Sequence, residues 1–328
     1  MFIYENRASV ILFNILNNFR CMNQKFLIPL NGCSIIPFTF LKAGINFDFV
    51  DISNDSLCMD EELVLKILDN DKSNKYVGVL FIKSYGINMN SNDFFKKIKD
   101  INSNLFIIDD RCLCIPDLNF YLNSTYADLT LFSTGGSKYI EIGGGFAYLK
   151  DTFLYTRQEL LFSLKDYNYL FQNLNNFISG KKSSFIYNDS NWLGDKILPF
   201  KTVLEYKKNI NDKLVKTLKH KKNINSIYTN ELPIDIQYKK EYQVWRFNIS
   251  VNNKNKVLKN IFEAGLFASS HYIPLNRVLK NIIIYSNNKN KYNADLLYEK
   301  NINLFNNFDF SEEMAFKLSN IIKSSILK

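Results

Sequence analysis

Histidine is scarce in this chain, with only His220 and His271 among 328 residues. A site in which several histidines bind one metal ion is therefore nearly excluded. Cysteine is also sparse, and no two cysteines have the CxxC spacing typical of zinc and redox sites. We expect free thiols in a reducing cytoplasm, and no bound metal ion. The cysteines are Cys21, Cys33, Cys58, Cys112 and Cys114.

Long apolar runs are lacking as well. No stretch approaches the roughly 18 residues of a membrane-spanning helix. The start of the chain has no basic region followed by a long apolar stretch. We therefore expect a cytoplasmic protein with neither a membrane span nor a signal peptide. Hydrophobic residues make up 46% of the chain, which is enough for a core and excludes wholesale disorder.

Positive charge is in excess, with a formal net charge of +9. Such a balance suits an anionic substrate or a nucleic acid. Nearly all of this charge is lysine, however, and it is scattered through segments rich in Asn and Ile. The densest basic cluster, residues 213–222, has the pattern of a solvated helix face. We therefore expect small-molecule substrates and no nucleic-acid partner.

Short apolar runs alternate with longer amphipathic stretches over the first 150 residues. Runs that are apolar on both faces are typical of buried, mostly parallel strands, and amphipathic stretches predict helices between them. This succession predicts an open α/β sheet, in which ligands bind beyond the carboxyl ends of the strands. The predicted strands are 25–29, 47–51, 76–82, 105–109, 129–133 and 145–149, and the predicted helices are 34–42, 60–69 and 92–100.

The pattern changes after Leu149. Amphipathic stretches predict two long helices, and the polar segment between them, residues 180–198, is typical of a loop. From Ile224 onward, strands and helices predict a small α+β domain. We therefore place a large domain over residues 1–222, including a connecting helix, and a small C-terminal domain over residues 223–328. The predicted elements are helices 153–177 and 202–222, strand 244–251, helix 254–265, loop 269–274 and a final helix from residue 311.

One lysine, Lys138, is framed by serines and glycines in the stretch FSTGGSKYIEIGGG, residues 132–145. Upstream, an apolar run ends in two acids, Asp109 and Asp110. A carboxylate at a strand end followed by such a lysine is the layout that a pyridoxal phosphate enzyme needs. The lysine binds the cofactor as a Schiff base, the carboxylate keeps the pyridine nitrogen protonated, and nearby amides hold the phosphate. The alternative is an ordinary surface lysine and carboxylates that cap a turn.

Five blocks in the same order resemble the DegT/DnrJ/StrS family of pyridoxal phosphate enzymes, which are mostly nucleotide-sugar aminotransferases. The resemblance implies fold type I: an α/β domain with a large, mostly parallel sheet and a small C-terminal α+β domain. It also implies a homodimer, because sites of this fold type lie at a subunit boundary. The blocks are residues 28–52, 83–86 (KSYG), 108–110 (IDD), 132–145 and 271–275 (HYIPL), which together cover nearly the whole chain.

The resemblance also implies a reaction. An amino group would move from an amino acid, expected to be glutamate, to a nucleotide-linked keto-sugar, as in polysaccharide biosynthesis. Lys138 would be the catalytic residue and would move a proton between the substrate Cα and the cofactor C4′. Asp110 would pair with the pyridine nitrogen, with Asp109 as the next candidate for that role.

Further site residues follow from the same blocks. Ser133 matches a phosphate-contacting serine, and Asn6 and Arg7 fall where the family has a phosphate-binding turn at a helix N-terminus. Cys33 lies near the position of an aromatic residue that stacks on the cofactor ring. For His271 and Arg111 the alternatives are a hydrogen-bonded loop histidine and a structural ion pair. The candidate substrate-binding residues are His271, Tyr272 and Arg111.

The chain departs from the family pattern in three places. Leu113 replaces a Gln or His beside the cofactor, and the chain is short for the family. The segment that reaches a neighbouring subunit's phosphate has no clear match, although Asn188 or Asn191 could substitute. These departures keep two alternatives open. One is another pyridoxal phosphate reaction on a small amino acid, such as decarboxylation, and the other is a degenerate member with a binding or regulatory role.

Overall fold

A seven-stranded sheet forms the core of the computed structural model, which describes residues 1–120, 125–163, 166, 198–279 and 292–326. In chain order its strands are β1 (Phe2–Glu5), β2 (Lys25–Pro29), β3 (Asn46–Val50), β4 (Tyr76–Ile82), β5 (Phe106–Asp110), β6 (Leu129–Ser133) and β7 (Gly145–Leu149). They are ordered β1-β7-β6-β5-β4-β2-β3. The strands from β3 to β6 pair in parallel, and β7 runs antiparallel to both β6 and β1.

The inner strands are buried on both faces, which explains why they carry no polar alternation. Every residue of β4, β5 and β6 is buried. Four helices accompany these strands: α1 (Ala8–Leu16), α2 (Ile35–Ala43), α3 (Glu61–Asp69) and α4 (Asn92–Ile101). Helix α1 packs against α2, β6 and β7, and α3 packs against α4. Apolar residues of all four helices belong to the same hydrophobic core as the strands, which accounts for the burial.

Local signals fix two of these helix ends. The Asp60 side chain accepts a hydrogen bond from the Leu63 amide at 3.0 Å and caps the start of α3. Helix α2 ends at Gly44, whose φ of +73° is a backbone conformation that glycine adopts without a steric penalty. Both ends lie within one residue of their predicted positions.

The C-terminal part is built around a long helix and a small sheet. Helix α5 (Val203–Glu231) starts at Thr202, whose hydroxyl accepts the Glu205 amide at 3.1 Å. Strands β8 (Phe247–Ser250) and β9 (Asn301–Leu304) pair antiparallel. Among the described residues, no helix is both long enough and apolar enough to cross a membrane. The remaining helices are α6 (Lys254–Glu263), α7 (Leu275–Val278), α8 (Asn293–Lys300) and α9 (Glu312–Ile326).

Helix α5 continues nine residues past the predicted domain boundary at Lys222, to Glu231. The division of the chain into two domains stays a prediction. The C-terminal part of the chain has a hydrophobic core of its own, in which β8 and β9 pack with α6 and α9. That core includes Phe247, Ile302 and Leu318.

The predicted helix over residues 153–177 is wrong at its start, because residues 153–163 are not helical. Hydrogen bonds to the Asn14 side chain hold this segment: Asn14 donates to the Tyr155 hydroxyl at 3.0 Å and accepts the Gln158 amide at 3.0 Å. These tertiary contacts override the local pattern. Apart from Asp166, the rest of that helix lies outside the described residues, as does the predicted loop except for Leu198.

Candidate active site

A cavity of about 690 Å³ opens at the carboxyl ends of β4, β5 and β6. The last residues of these strands, Ile82, Asp110 and Ser133, all line it. This is the edge at which open α/β sheets bind ligands. The site residues predicted from sequence line the cavity except His271, Arg111 and Asp109, the second candidate for the pyridine nitrogen. Those that do are Asn6, Arg7, Cys33, Asp110, Ser133, Lys138 and Tyr272.

Lys138 sits on a loop between β6 and β7 that is closed at its base by Thr134. The Thr134 amide donates to the Gly144 carbonyl at 3.1 Å, and its hydroxyl donates to the Gly143 carbonyl at 2.6 Å. Gly143 and Gly144 have φ values of +81° and +86°, so this return turn requires glycine. At Gly145 an added Cβ would lie 2.4 Å from the amide of Ala8. The glycines therefore let the loop close tightly against the start of α1.

The Lys138 side chain is half-buried and faces the cavity. Within the described part of the chain, its amine has neither a hydrogen bond nor an ion pair. Burial raises the pKa of both Asp110 and Cys33, and the positive charge of Lys138 offsets part of each shift. A basic amine and a buried carboxyl thus share one cavity without forming an ion pair.

Asp110 is buried, and one of its oxygens accepts the Cys112 amide at 2.9 Å. The Cys112 thiol is a second hydrogen-bond partner of this carboxyl. Burial raises the pKa of the carboxyl because the charged form loses solvation, and the hydrogen bonds from Cys112 offset only part of this. A cation in the cavity would favour the charged form.

The N-terminus of α1 forms another wall of the cavity. Arg7 is the N-cap residue in an extended conformation, with φ −155° and ψ 150°, and Ala8 and Ser9 begin the helix at the cavity surface. The first amides of a helix lack partners within the helix and attract anions. Gly136 also lines the cavity, and an added Cβ there would meet nothing within 4 Å.

The remaining walls are mostly apolar. Leu113, which stands where the family resemblance leads one to expect Gln or His, is buried against the cavity, and Cys33 is half-buried there. Tyr272 lines the cavity and lies parallel to Trp245, with ring centres 6.3 Å apart and an angle of 7° between the planes. Sequence analysis did not identify Trp245, because no local pattern marks its contact with the site.

His271 and Arg111 do not line the cavity. The His271 carbonyl accepts the Tyr85 hydroxyl at 2.8 Å, and its ring lies edge-on to Trp245. Burial and the charges of Arg246 and Lys138 lower the pKa of His271 to about 3. The roles of His271 and Arg111 in substrate binding stay predictions. Asn188 and Asn191 lie outside the described residues.

Arg111 instead forms an ion pair at the end of β5. Its Nε donates to an Asp109 oxygen at 2.7 Å, and its guanidinium lies 5.0 Å from the ring centre of Phe120. The fully buried Lys83 lies 3.8 Å from the other Asp109 oxygen. Two cations therefore compensate Asp109, on the side of the strand away from the cavity.

No protein-family model matches the sequence, and no curated protein matches it. Solved structures match it over almost its whole length. The protein described as sugar aminotransferase Spr1654 from Streptococcus pneumoniae, in its PMP form, is 17% identical with a TM-score of 0.69, covering 99% of this chain and 88% of that chain. PseC of Helicobacter pylori, an aminotransferase involved in the biosynthesis of pseudoaminic acid, is 14% identical with a TM-score of 0.68, covering 99% and 86%.

A DegT DnrJ EryC1 StrS aminotransferase from Brucella abortus is 15% identical with a TM-score of 0.69, covering 100% of this chain and 86% of that chain. At these identities the likeness shows the fold. The chain therefore has the fold of the DegT/DnrJ/EryC1/StrS sugar aminotransferases, with a large, mostly parallel sheet and a small C-terminal antiparallel sheet. The fold class predicted from sequence is confirmed.

Proposed function

We propose that this chain, which has the fold of the sugar aminotransferases, is a pyridoxal-phosphate-dependent aminotransferase. In this proposal it moves an amino group from glutamate to a nucleotide-linked keto-sugar. One observation carries the proposal: Lys138, Asp110 and the N-terminus of α1 converge on a single cavity at the carboxyl edge of the sheet. These are an amine, a carboxylate and an anion site, one for each reactive or charged part of the cofactor.

The cavity residues fit this cofactor in charge as well as in type. A protonated pyridine nitrogen would compensate the Asp110 carboxylate, which faces the cavity without an ion pair in the described part of the chain. The phosphate would be held by the first amides of α1 and by the Ser133 hydroxyl. The open space at Gly136 would leave room for it. Leu113 and Cys33 would contact the ring. The PMP form of the S. pneumoniae structure is consistent with a cofactor of this class.

Lys138 and Asp110 would then each have one task in the reaction. When bound, pyridoxal phosphate supplies an electron sink for the pair of electrons left at the substrate Cα. Lys138 would hold the cofactor through its amine. Its Nζ would move a proton between the substrate Cα and the cofactor C4′, in one direction for glutamate and in the opposite direction for the keto-sugar. Asp110 would keep the pyridine nitrogen protonated.

We also propose a homodimer in which the partner subunit completes the site, as the fold type suggests. Sedimentation velocity of the purified protein should give twice the mass of one chain. A monomer that nevertheless transfers amino groups would contradict this part of the proposal.

The reaction is tested by incubating the protein with pyridoxal phosphate, glutamate and a panel of nucleotide-linked keto-sugars. We expect 2-oxoglutarate to form in an amount that depends on the keto-sugar, and Lys138→Ala to abolish its formation. The matched control is Lys216→Ala, an exposed lysine of α5. Release of carbon dioxide from an amino acid without 2-oxoglutarate would overturn amino transfer in favour of decarboxylation.

A further inference from the structure

Ser137, the residue directly before Lys138, has a left-handed backbone with φ +60°. Residues with a Cβ rarely adopt this conformation, and it persists only where the surroundings hold it. The Ser137 amide donates to the Glu141 carboxylate at 2.8 Å, within the same loop. Its carbonyl accepts the indole N–H of Trp245 at 2.7 Å. The restraint on the carbonyl thus comes from a residue more than one hundred positions away.

Trp245 is itself firmly placed. It is 3% exposed, its amide donates to the Tyr85 carbonyl at 3.2 Å, and its carbonyl accepts the Lys221 amine at 2.8 Å. The indole ring lies parallel to Tyr272 on one side, and the Arg246 guanidinium lies 4.2 Å from its ring centre. A donor held on so many sides can fix the carbonyl that it contacts.

We propose that Trp245 is a positioning residue, whose indole N–H holds the left-handed Ser137 so that Lys138 points into the cavity. Trp245 does not line the cavity, so it acts through Ser137. Its contact with Tyr272 joins the loop that carries Lys138 to the wall formed by the C-terminal part of the chain. The catalytic meaning of this placement rests on the proposed function, but the placement itself does not.

The first test removes the indole donor and little else. In Trp245→Phe, or with benzothienylalanine at position 245, a ring remains but the N–H is lost. Acetic anhydride labelling of the cofactor-free protein, quantified lysine by lysine, should show Lys138 labelled roughly tenfold faster, the factor expected for one lost hydrogen bond. Labelling of the exposed control Lys216 should not change. Equal labelling of Lys138 in both proteins would overturn the proposal.

The second test asks whether the effect runs through the backbone of Ser137. Glycine adopts positive φ without penalty, so Ser137→Gly should restore most of the wild-type labelling in the Trp245→Phe background. Ser137→Ala is the matched control, since it also removes the hydroxyl but keeps the Cβ, and it should restore nothing. Equal effects of Gly and Ala, or a loss of stability that accounts for the whole change, would overturn the proposal.

The same variants distinguish the proposed cofactor from the positioning role of Trp245. If wild-type protein forms a borohydride-stable adduct with pyridoxal phosphate on Lys138, Trp245→Phe should form it roughly tenfold more slowly. If wild type forms no adduct while Trp245→Phe still changes Lys138 labelling, the proposed cofactor fails and the positioning role of Trp245 stands. An adduct that forms at the wild-type rate in Trp245→Phe would overturn the positioning role alone.

Discussion

Two adjacent carboxylates at the end of β5 have opposite surroundings. Asp109 lies against Arg111, at 2.7 Å, and the buried Lys83, at 3.8 Å. Asp110 faces the cavity, where the amide and the thiol of Cys112 are its hydrogen-bond partners and Lys138 contributes positive charge without an ion pair. Successive side chains of a strand point to opposite faces, so a shift of one position separates a compensated carboxylate from one open to a ligand.

The comparison shows how to tell a structural acid from a functional one of the same type and burial. Removing one partner of a buried ion pair destabilises a protein, whereas a buried carboxylate that faces a cavity without an ion pair is available to a ligand. From the sequence, Asp109 is the next candidate after Asp110. The contacts of Asp109 with Arg111 and Lys83 favour Asp110 for the cofactor.

The largest expected effect is on stability. Asp109→Asn leaves Lys83 and Arg111 without their carboxylate, and we expect the free energy of unfolding to fall by about 3–5 kcal/mol. Urea denaturation of the cofactor-free protein measures this. Combining it with Lys83→Met should recover part of the loss, because the buried uncompensated amine is then removed. A fall in unfolding free energy of less than 1 kcal/mol in Asp109→Asn would contradict the structural role of Asp109 that separates it from Asp110.

Asp110→Asn should affect function instead. The amide keeps the shape and can still accept the Cys112 amide, but it cannot hold the pyridine nitrogen in its protonated form. We expect the rate of amino transfer to fall roughly 100- to 1,000-fold, the range found when one electrostatic contact to the reacting system is removed. Stopped-flow absorbance with glutamate measures this rate. A rate within threefold of wild type, in a folded protein, would contradict the assignment.

Arg111 should behave like Asp109, to a smaller degree. Arg111→Met removes a charged hydrogen bond but leaves Lys83 beside Asp109, so we expect a loss of about 2 kcal/mol in unfolding free energy. The KM values for glutamate and the keto-sugar should not change, because Arg111 does not line the cavity. A tenfold rise in either KM would restore the predicted substrate role of Arg111.

The smallest effect is a pH trend. Burial raises the pKa of Asp110 in the folded, cofactor-free protein. Between the unfolded pKa and the raised folded pKa the folded state binds more protons, so the contribution of this group to stability is present at low pH and is lost as pH rises. Asp110→Asn should therefore become more stable relative to wild type between pH 4 and pH 7. Denaturation curves at several pH values measure the difference in unfolding free energy between the two proteins. A difference that changes with pH in the opposite direction would show that the pKa of Asp110 is lowered.

Much of the fold followed from patterns that are local in sequence. Strands β2, β4, β6 and β7 have their predicted bounds, because strands buried on both faces are continuous apolar runs ended by turn residues. The missed β1 and β9 are four residues each, too short for a pattern. The missed α1 is apolar around nearly its whole surface, so it lacks the amphipathic period of a helix.

The candidate site was likewise predictable where local patterns mark its residues. The frame of glycines and serines marked Lys138, and the end of a strand marked Asp110. What could not be predicted depends on three-dimensional contacts. The Trp245 indole reaches Ser137 across the fold. A structural ion pair was one alternative for Arg111, but only the structure identifies Asp109 as its partner.

The most direct test of the proposed cofactor site is to reduce the protein with borohydride after incubation with pyridoxal phosphate and to map the modified peptide. We expect one pyridoxyl adduct, on Lys138, and a loss of the visible absorbance band on reduction. Asp109→Asn should still form the adduct, and Lys138→Ala should not. Modification spread over exposed lysines, or none on Lys138, would contradict the proposed cofactor site and leave only the likeness in fold.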